Sequence, residues 1–78
     1  MIEYELEKTL CTFGESKGYE KRLCLIRWKS GEPAKLDIRI WKPDGETHKP
    51  GKGLTLTERE AIILCGALTE YLHHKENH

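Results

Sequence analysis

The stretch AKLDIRIWKPDG, residues 34–45, alternates between apolar and polar positions as a half-buried β-strand does. One side of the extended chain carries Leu36, Ile38 and Ile40, and the other side carries Asp37, Arg39 and Trp41. An ordinary solvent-facing side is filled with Lys, Glu and Thr. An Arg and a Trp on the solvent side therefore predict a surface that binds a partner.

The chain is short enough that its size limits its stability. Its 78 residues predict a single domain, residues 1–78. A chain of this length buries only about 60% of its unfolded surface, so disulfides, a metal or a partner subunit usually supplement the core. The three cysteines, Cys11, Cys24 and Cys65, lie in apolar stretches without metal-ligand spacing. They predict free buried thiols and a reducing compartment, which leaves oligomerisation as the favoured supplement.

Nothing in the sequence predicts export or membrane insertion. No apolar run approaches the roughly 20 residues of a membrane span. The start, MIEYELEKTL, is acidic and alternating, whereas a signal peptide needs a basic start and an apolar core. We therefore expect a cytoplasmic protein with no membrane partner and no cofactor.

The net charge is zero, but the charges are unevenly distributed along the chain. Residues 21–53 carry nine basic and four acidic groups, net +5, whereas residues 1–20 carry net −3 and residues 54–78 carry net −2. The middle third can therefore form one local positive field within a neutral molecule.

Apolar patterning around the opening stretch predicts further strands and then a helix. A change of apolar parity near Cys11 and Phe13 predicts a bulge. In chain order, the predicted elements are strands at 4–13 and 19–28, turns at 14–18 and 29–33, the opening strand, a long loop at 43–53 and a short strand at 54–56. Strands and loops thus occupy about residues 4–56.

The helix is predicted at about residues 58–74. Thr57 and Glu60 have the spacing of a capping box. An apolar stripe follows at steps of three and four residues, formed by Ala61, Leu64, Cys65, Leu68 and Leu72. Ile62, Ile63 and Tyr71 widen this stripe, which predicts a second surface to cover, such as the same helix of another subunit. The alternative is that Ile62 or Ile63 is simply exposed.

Strands first and a helix last predict an α+β fold, with the helix against one face of an antiparallel sheet. Arg39 and Trp41 would then lie on the other face. Trp28 and Trp41 close two strands and stand among basic residues, a pattern that suits single-stranded nucleic acid because phosphates need cations and unstacked bases need aromatic faces. The alternative is that one or both Trp residues cover a sheet edge or a dimer seam.

Catalysis has no support in the sequence. The carboxylates form no close pair for acid–base chemistry, and no Ser–His or Cys–His arrangement stands out. The string KPGKG, residues 49–53, fails the phosphate-loop pattern and precedes a strand rather than a helix. We expect no enzymatic activity.

The run LDIRIWKPDGETHKPGKGLTLTERE, residues 36–60, resembles the core motif of the positive cofactor four family of transcriptional coactivators. The upstream KGYEKRLCLIRW, residues 17–28, resembles the bacterial YdbC-like branch of that family. The resemblance implies a curved four-stranded antiparallel sheet followed by one C-terminal helix, in a symmetric homodimer whose helices pack at the interface. It also implies binding of single-stranded DNA with little sequence preference, in transcription regulation or DNA repair.

The resemblance and the charge pattern together nominate the site residues. Those expected to contact phosphates are Lys21, Arg27, Arg39, Lys42, Lys49 and Lys52, and those expected to stack on bases are Tyr19, Trp28 and Trp41. The helix stripe, Ala61, Leu64, Cys65, Leu68 and Leu72, is the expected dimer interface. Asp37 is expected to pair with a neighbouring Lys or Arg. The alternatives are single-stranded RNA as the ligand, or a protein-interaction module that docks an acidic partner in the transcription machinery.

Overall fold

The computed structural model of the chain describes residues 4–76, which form one antiparallel sheet and one helix. The strands are β1 (Glu5–Ser16), β2 (Tyr19–Arg27), β3 (Lys35–Asp44) and β4 (Thr47–Leu56), and they lie in the order β1-β2-β3-β4. The helix, α1, spans Glu58–Glu76. The predicted α+β class and its strands-then-helix order are confirmed.

The predicted loop at 43–53 is wrong, because most of it is strand. β3 continues to Asp44, the chain turns at Gly45, whose φ is 66°, and β4 begins at Thr47. Gly45, the first of the two turn residues between Asp44 and Thr47, supplies the positive φ that a tight hairpin turn requires. Pro50 is tolerated in β4 because an edge strand leaves some backbone N–H groups unpaired.

Strand β1 is longer than its partner because it contains bulges. Its 12 residues pair with the nine of β2, and the register shifts at three places, between Leu6 and Lys8, Thr9 and Cys11, and Thr12 and Gly14. The parity change predicted near Cys11 and Phe13 is therefore confirmed. Each bulge bends the strand and increases its twist.

The two faces of the sheet differ in burial, and the prediction of which face is exposed is wrong. Paired residues in antiparallel strands share a face, so Cys24 and Ile26 lie with Asp37 and Trp41 on what we call the inner face. Among the described residues, these four side chains are the fully buried ones. On the opposite, outer face, Ile38 is only half-buried and Leu54 is exposed.

Helix α1 begins as predicted but does not pack against the sheet. Thr57 Oγ1 accepts from the Glu60 N–H at 3.1 Å, and Glu60 Oε1 accepts from the Thr57 N–H at 2.8 Å, which confirms the capping box. The main contact of α1 with the sheet is with β4, the strand that precedes it. Ile62 is 72% exposed and Leu68 is 52% exposed. The predicted helix-on-sheet layer is therefore absent from the described residues of the single chain.

Candidate nucleic-acid interface

Five side chains contact one another in a continuous row, which we call the aromatic ladder. In order along the row, they are Arg39, Trp28, Tyr4, Trp41 and Arg22. The Tyr4 ring lies between the two tryptophans, with its centroid 5.9 Å from that of Trp28 and 5.9 Å from that of Trp41. The guanidinium of Arg39 lies 4.8 Å from the Trp28 centroid, and that of Arg22 lies 4.9 Å from the Trp41 centroid. A cation thus covers each end of the row.

Both arginines of the ladder are held by carboxylates. Arg39 donates to the two oxygens of Asp37, from Nε at 2.6 Å and from Nη2 at 2.8 Å, and it also donates to the Gly51 carbonyl at 2.8 Å. Thr55 Oγ1 donates to Asp37 Oδ2 at 3.1 Å. Arg22 pairs with Glu20 at 2.7 Å. The expected pairing of Asp37 with a neighbouring cation is confirmed, and its partner is Arg39.

Arg27 is also neutralised by acidic neighbours. It pairs with Glu5 at 2.5 Å and with Glu7, and its Nε donates to the Glu32 carbonyl at 2.7 Å. The arginine side chains that sequence reasoning assigned to phosphates, Arg27 and Arg39, therefore have carboxylate partners already. A phosphate would have to compete with those partners.

The predicted exposure of Trp41 is wrong: its side chain is only 1% exposed. It packs with Cys24 and Ile26, and Arg22 and Tyr4 cover its ring. Trp28 is half-buried and packs against the same cluster. The inner-face side chains are buried by one another. In the described part of the chain no helix packs on the opposite face, so the apolar residues of that face are less buried.

The nine predicted nucleic-acid residues do not share one face. Successive side chains of a strand point to opposite faces, so Arg27 lies on the outer face although Trp28 beside it lies on the inner face. The inner face receives Trp28, Arg39 and Trp41, the outer face receives Tyr19, Lys21, Arg27, Lys42 and Lys49, and Lys52 is exposed in the irregular part of β4. The sequence neighbours that looked like one cluster are thus separated by the sheet.

The lysines differ from the arginines in having no acidic partners. Within residues 4–76, none of the lysines makes a salt bridge. Lys42 and Lys49 are cross-strand partners, and Lys21 pairs with Ile40, two residues before Lys42. Together with Tyr19, which is 45% exposed, these three lysines form what we call the outer lysine surface.

An open cleft of about 960 Å³ adjoins one end of the aromatic ladder. It is lined by Tyr4, Glu5, Arg27, Trp28 and the β2–β3 loop, residues 29–33. Its volume lies within the roughly 300–1,000 Å³ of small-molecule sites. Lys29 is the cation of this lining that has no carboxylate partner. The cleft therefore offers an aromatic face beside a free positive charge.

Sequence reasoning did not nominate Tyr4, Arg22 or Lys29 for the site. Alternation in β2 carried a signal for Arg22, because it shares the parity of Trp28. Tyr4 had no comparable signal, since its place between the tryptophans depends on the β1 bulges and on the pairing of β1 with β2.

Buried polar groups surround the ladder. The indole Nε1 atoms of Trp28 and Trp41 are buried, and neither has a hydrogen-bond partner among the described residues. Cys24 Sγ donates to Thr9 Oγ1 at 3.8 Å, and burial raises the pKa of the Cys24 thiol above its ordinary value near 9.0. Cys24 is thus a neutral, protected thiol, whereas the predicted burial of Cys11 and Cys65 is wrong because both are exposed.

The predicted dimer stripe lies open to solvent on α1. Ala61 is half-buried, and Leu64, Cys65, Leu68 and Leu72 are exposed.

Within the described residues, no group of three or more His, Cys, Asp or Glu side chains is placed to hold a metal ion. No helix in that part of the chain is long and apolar enough to cross a membrane.

The chain was compared with known protein families and with curated proteins. No family profile matches the sequence, and no curated protein matches it significantly.

Proposed function

We propose that this protein binds single-stranded nucleic acid, DNA in the first instance, with little sequence preference and without enzymatic activity. The sequence resemblance to the positive cofactor four family supports this function, and the proposed role is in transcription regulation or DNA repair. The geometry supports the chemistry: aromatic rings for unstacked bases and free lysines for phosphates.

The observation that carries the proposal is the cleft beside the aromatic ladder. Trp28 offers it a flat aromatic surface beside the Tyr4 ring, and Lys29 offers it a charge without a carboxylate partner. Every base has a π face, so stacking on such rings contributes on the order of 1–3 kcal/mol per base and tolerates any sequence. A cleft built this way favours splayed bases over a closed duplex.

Free lysines, rather than the arginines, are the proposed phosphate contacts: Lys29 next to the stacked bases, and the outer lysine surface for the part of the strand that passes around the sheet onto its other face. Lys21, Lys42 and Lys49 have no acidic partner to displace, so binding a phosphate costs them no ion pair. Arg27 and Arg39 contribute chiefly to the shape of the site, by holding the β2–β3 loop and the Trp28 ring.

A tryptophan fluorescence titration tests the proposal directly, because Trp28 and Trp41 are the two tryptophans of the chain. A mixed-sequence single strand should quench the emission at low salt, the matching duplex should quench it weakly, and added salt should weaken binding. Single-stranded RNA of the same sequence is the comparison that identifies the preferred strand. Absence of quenching and of any change in oligonucleotide anisotropy at low salt would refute nucleic-acid binding.

We also propose that two chains form a homodimer through the apolar stripe of α1. Most of the stripe is exposed in the single chain, and within residues 4–76 the inner-face core contains three fully buried apolar side chains, Cys24, Ile26 and Trp41. A core this small supplies little stability to a chain of this length. Association would bury the helix and complete the fold, in agreement with the dimer that the family resemblance implies.

A protein-docking role is the alternative reading of the same exposed surfaces. An acidic partner in the transcription machinery would bind the free lysines but would not need the cleft beside Trp28. Quenching that an oligonucleotide causes in the wild type and that Lys29→Ala weakens supports the nucleic-acid function over docking.

A further inference from the structure

Tyr4 occupies the position of a stacked ligand. Its ring lies at 5.9 Å from both indoles, with interplanar angles of 48° and 69°, so it touches each tryptophan without stacking flat on either. Its phenol makes no hydrogen bond within the described residues. Tilted and edge-on contacts leave part of each indole face uncovered, and a flat ring stacked parallel to either indole would cover that face better.

Tyr4 is also the least constrained member of the ladder. It immediately precedes β1, so it lies outside the strand register that holds Trp41 opposite Glu20 and Pro50. It is 37% exposed and lines the open cleft, whereas Trp41 lies buried beneath it. The Tyr4 ring can therefore swing toward the cleft without breaking a strand pair.

The tryptophans retain unmet hydrogen-bonding capacity in this arrangement. Both buried indole N–H groups lack an acceptor among the described residues, and the phenyl ring of Tyr4 supplies none. Buried donors normally find an acceptor. A bound strand carries the flat π faces of its bases and many oxygen and nitrogen acceptors. Because an indole N–H points along the ring plane, its acceptor would be a group beside the stacked base, such as a sugar or phosphate oxygen.

We propose that Tyr4 is an internal occupant of a nucleobase slot between Trp28 and Trp41, and that a base of a bound single strand displaces it. The inference rests on the proposed function, and it adds that Tyr4 of the same chain competes with a base for this site. Arg22 and Arg39 form the outer walls of the slot, held in place by Glu20 and Asp37. The affinity measured for an oligonucleotide then includes the cost of removing Tyr4.

Replacing the competitor tests the slot. Tyr4→Ala should bind a single-stranded oligonucleotide about three- to tenfold more tightly than the wild type. In the wild type an entering base must break the contacts of the Tyr4 ring with the two tryptophans, and in the variant those contacts are absent. Tyr4→Phe keeps the ring and should bind as the wild type does. Phe13→Ala is the matched control, since Phe13 is an exposed aromatic of β1 without an aromatic contact.

Two outcomes of this comparison contradict the inference. Equal affinity of Tyr4→Ala and the wild type would mean that Tyr4 does not compete, and weaker binding would mean that Tyr4 itself holds the base. In both cases the wild type still binds, so the proposed function stands. If the wild type and Tyr4→Ala both fail to bind, the proposed function fails together with the inference.

A second measurement keeps the test decisive if Tyr4→Ala does not fold. In the Trp28→Phe variant, Trp41 is the remaining tryptophan, so all tryptophan fluorescence comes from it. Before the oligonucleotide is added, acrylamide should quench this fluorescence only weakly, because the Trp41 ring is buried. Saturating oligonucleotide should quench this Trp41 emission, because a base then stacks on the indole. Unchanged Trp41 emission, together with quenching of Trp28 in Trp41→Phe, would restrict binding to the cleft and refute the slot.

Discussion

Gly53 allows two strands to approach more closely than any side chain would permit. A Cβ placed on Gly53 would lie 1.9 Å from the Arg39 Cβ and 2.3 Å from the Ile38 carbonyl oxygen. Gly53 is the register partner of Arg39, so this approach sets where the Arg39 side chain begins. The absence of a side chain at Gly53 therefore helps to place Arg39 over Trp28.

Gly53→Ala should destabilise the fold by about 3 kcal/mol or more, because backbone atoms must shift to admit the methyl group. Urea unfolding followed by circular dichroism measures the loss. Gly66→Ala is the control: its Cβ would meet nothing within 4 Å, and it should stabilise α1 by about 1 kcal/mol. Equal stability of Gly53→Ala and the wild type would contradict the close approach.

Asp37 holds the ladder through a buried ion pair. It is fully buried, and it accepts hydrogen bonds from Arg39 and Thr55. Removing one partner of a buried pair leaves the other charge uncompensated, which typically costs about 3–5 kcal/mol.

Asp37→Asn should accordingly lower the free energy of unfolding by about 3 kcal/mol, measured by denaturant titration. Glu5→Gln breaks the exposed pair with Arg27 and should cost about 1 kcal/mol or less. Similar losses for the two variants would show that the Asp37–Arg39 pair is no more important than a surface contact.

At the scale of elements, α1 forms where its own residues specify it but finds no surface in its chain to cover. Its capping box and acidic first turn stabilise its start through local contacts. Its apolar stripe stays exposed because β4 provides the main contact between helix and sheet. The helix is therefore the element that the proposed dimer would bury.

Leu68→Glu should shift the protein toward a monomer, because a charge at the centre of the stripe would have to be desolvated in the dimer. Sedimentation equilibrium over a wide concentration range measures the change. Gly66→Glu adds the same charge at an open position nearby and should leave association unchanged. A wild type that sediments as a monomer throughout would refute the dimer.

At the scale of the whole molecule, the chain is too extended to be a complete globule. Its radius of gyration is 14.6 Å, against about 11.5 Å for a compact domain of this length. Its Cα extents are 47 × 33 × 17 Å, so a large share of its residues lies near the surface. The proposed dimer would cover part of this surface.

The charge distribution also acts at the scale of the whole molecule. When a protein binds a single strand, log K falls as log salt concentration rises, and each neutralised phosphate adds about 0.7 to the steepness of this slope. Joint replacement of Lys21, Lys42 and Lys49 by Ala should therefore reduce the slope by about 2. Lys75→Ala, on the exposed end of α1, is the control. An unchanged slope would place the phosphates elsewhere.

Much of the secondary structure was predictable because its causes are local. Period-two alternation located β3, a continuous apolar run bounded by charges located β2, the change of parity located bulges in β1, and the capping box located the start of α1. The predicted loop at 43–53 failed because glycines and prolines outweighed the Asp-Gly hairpin signal. The candidate site was predictable only as a set of residue types, since neighbours such as Arg27 and Trp28 separate onto opposite faces.

The sequence by itself determined the α+β class, the order of the elements, the helix cap and the basic middle third. All of these depend on residues close together along the chain. Only the tertiary structure decided which face of the sheet is buried, that Tyr4 lies between Trp28 and Trp41, and that Arg27 pairs with Glu5 while the lysines of the described residues stay unpaired. Those outcomes depend on bulges and strand register, because they join residues far apart in sequence whose pairing no local pattern specifies.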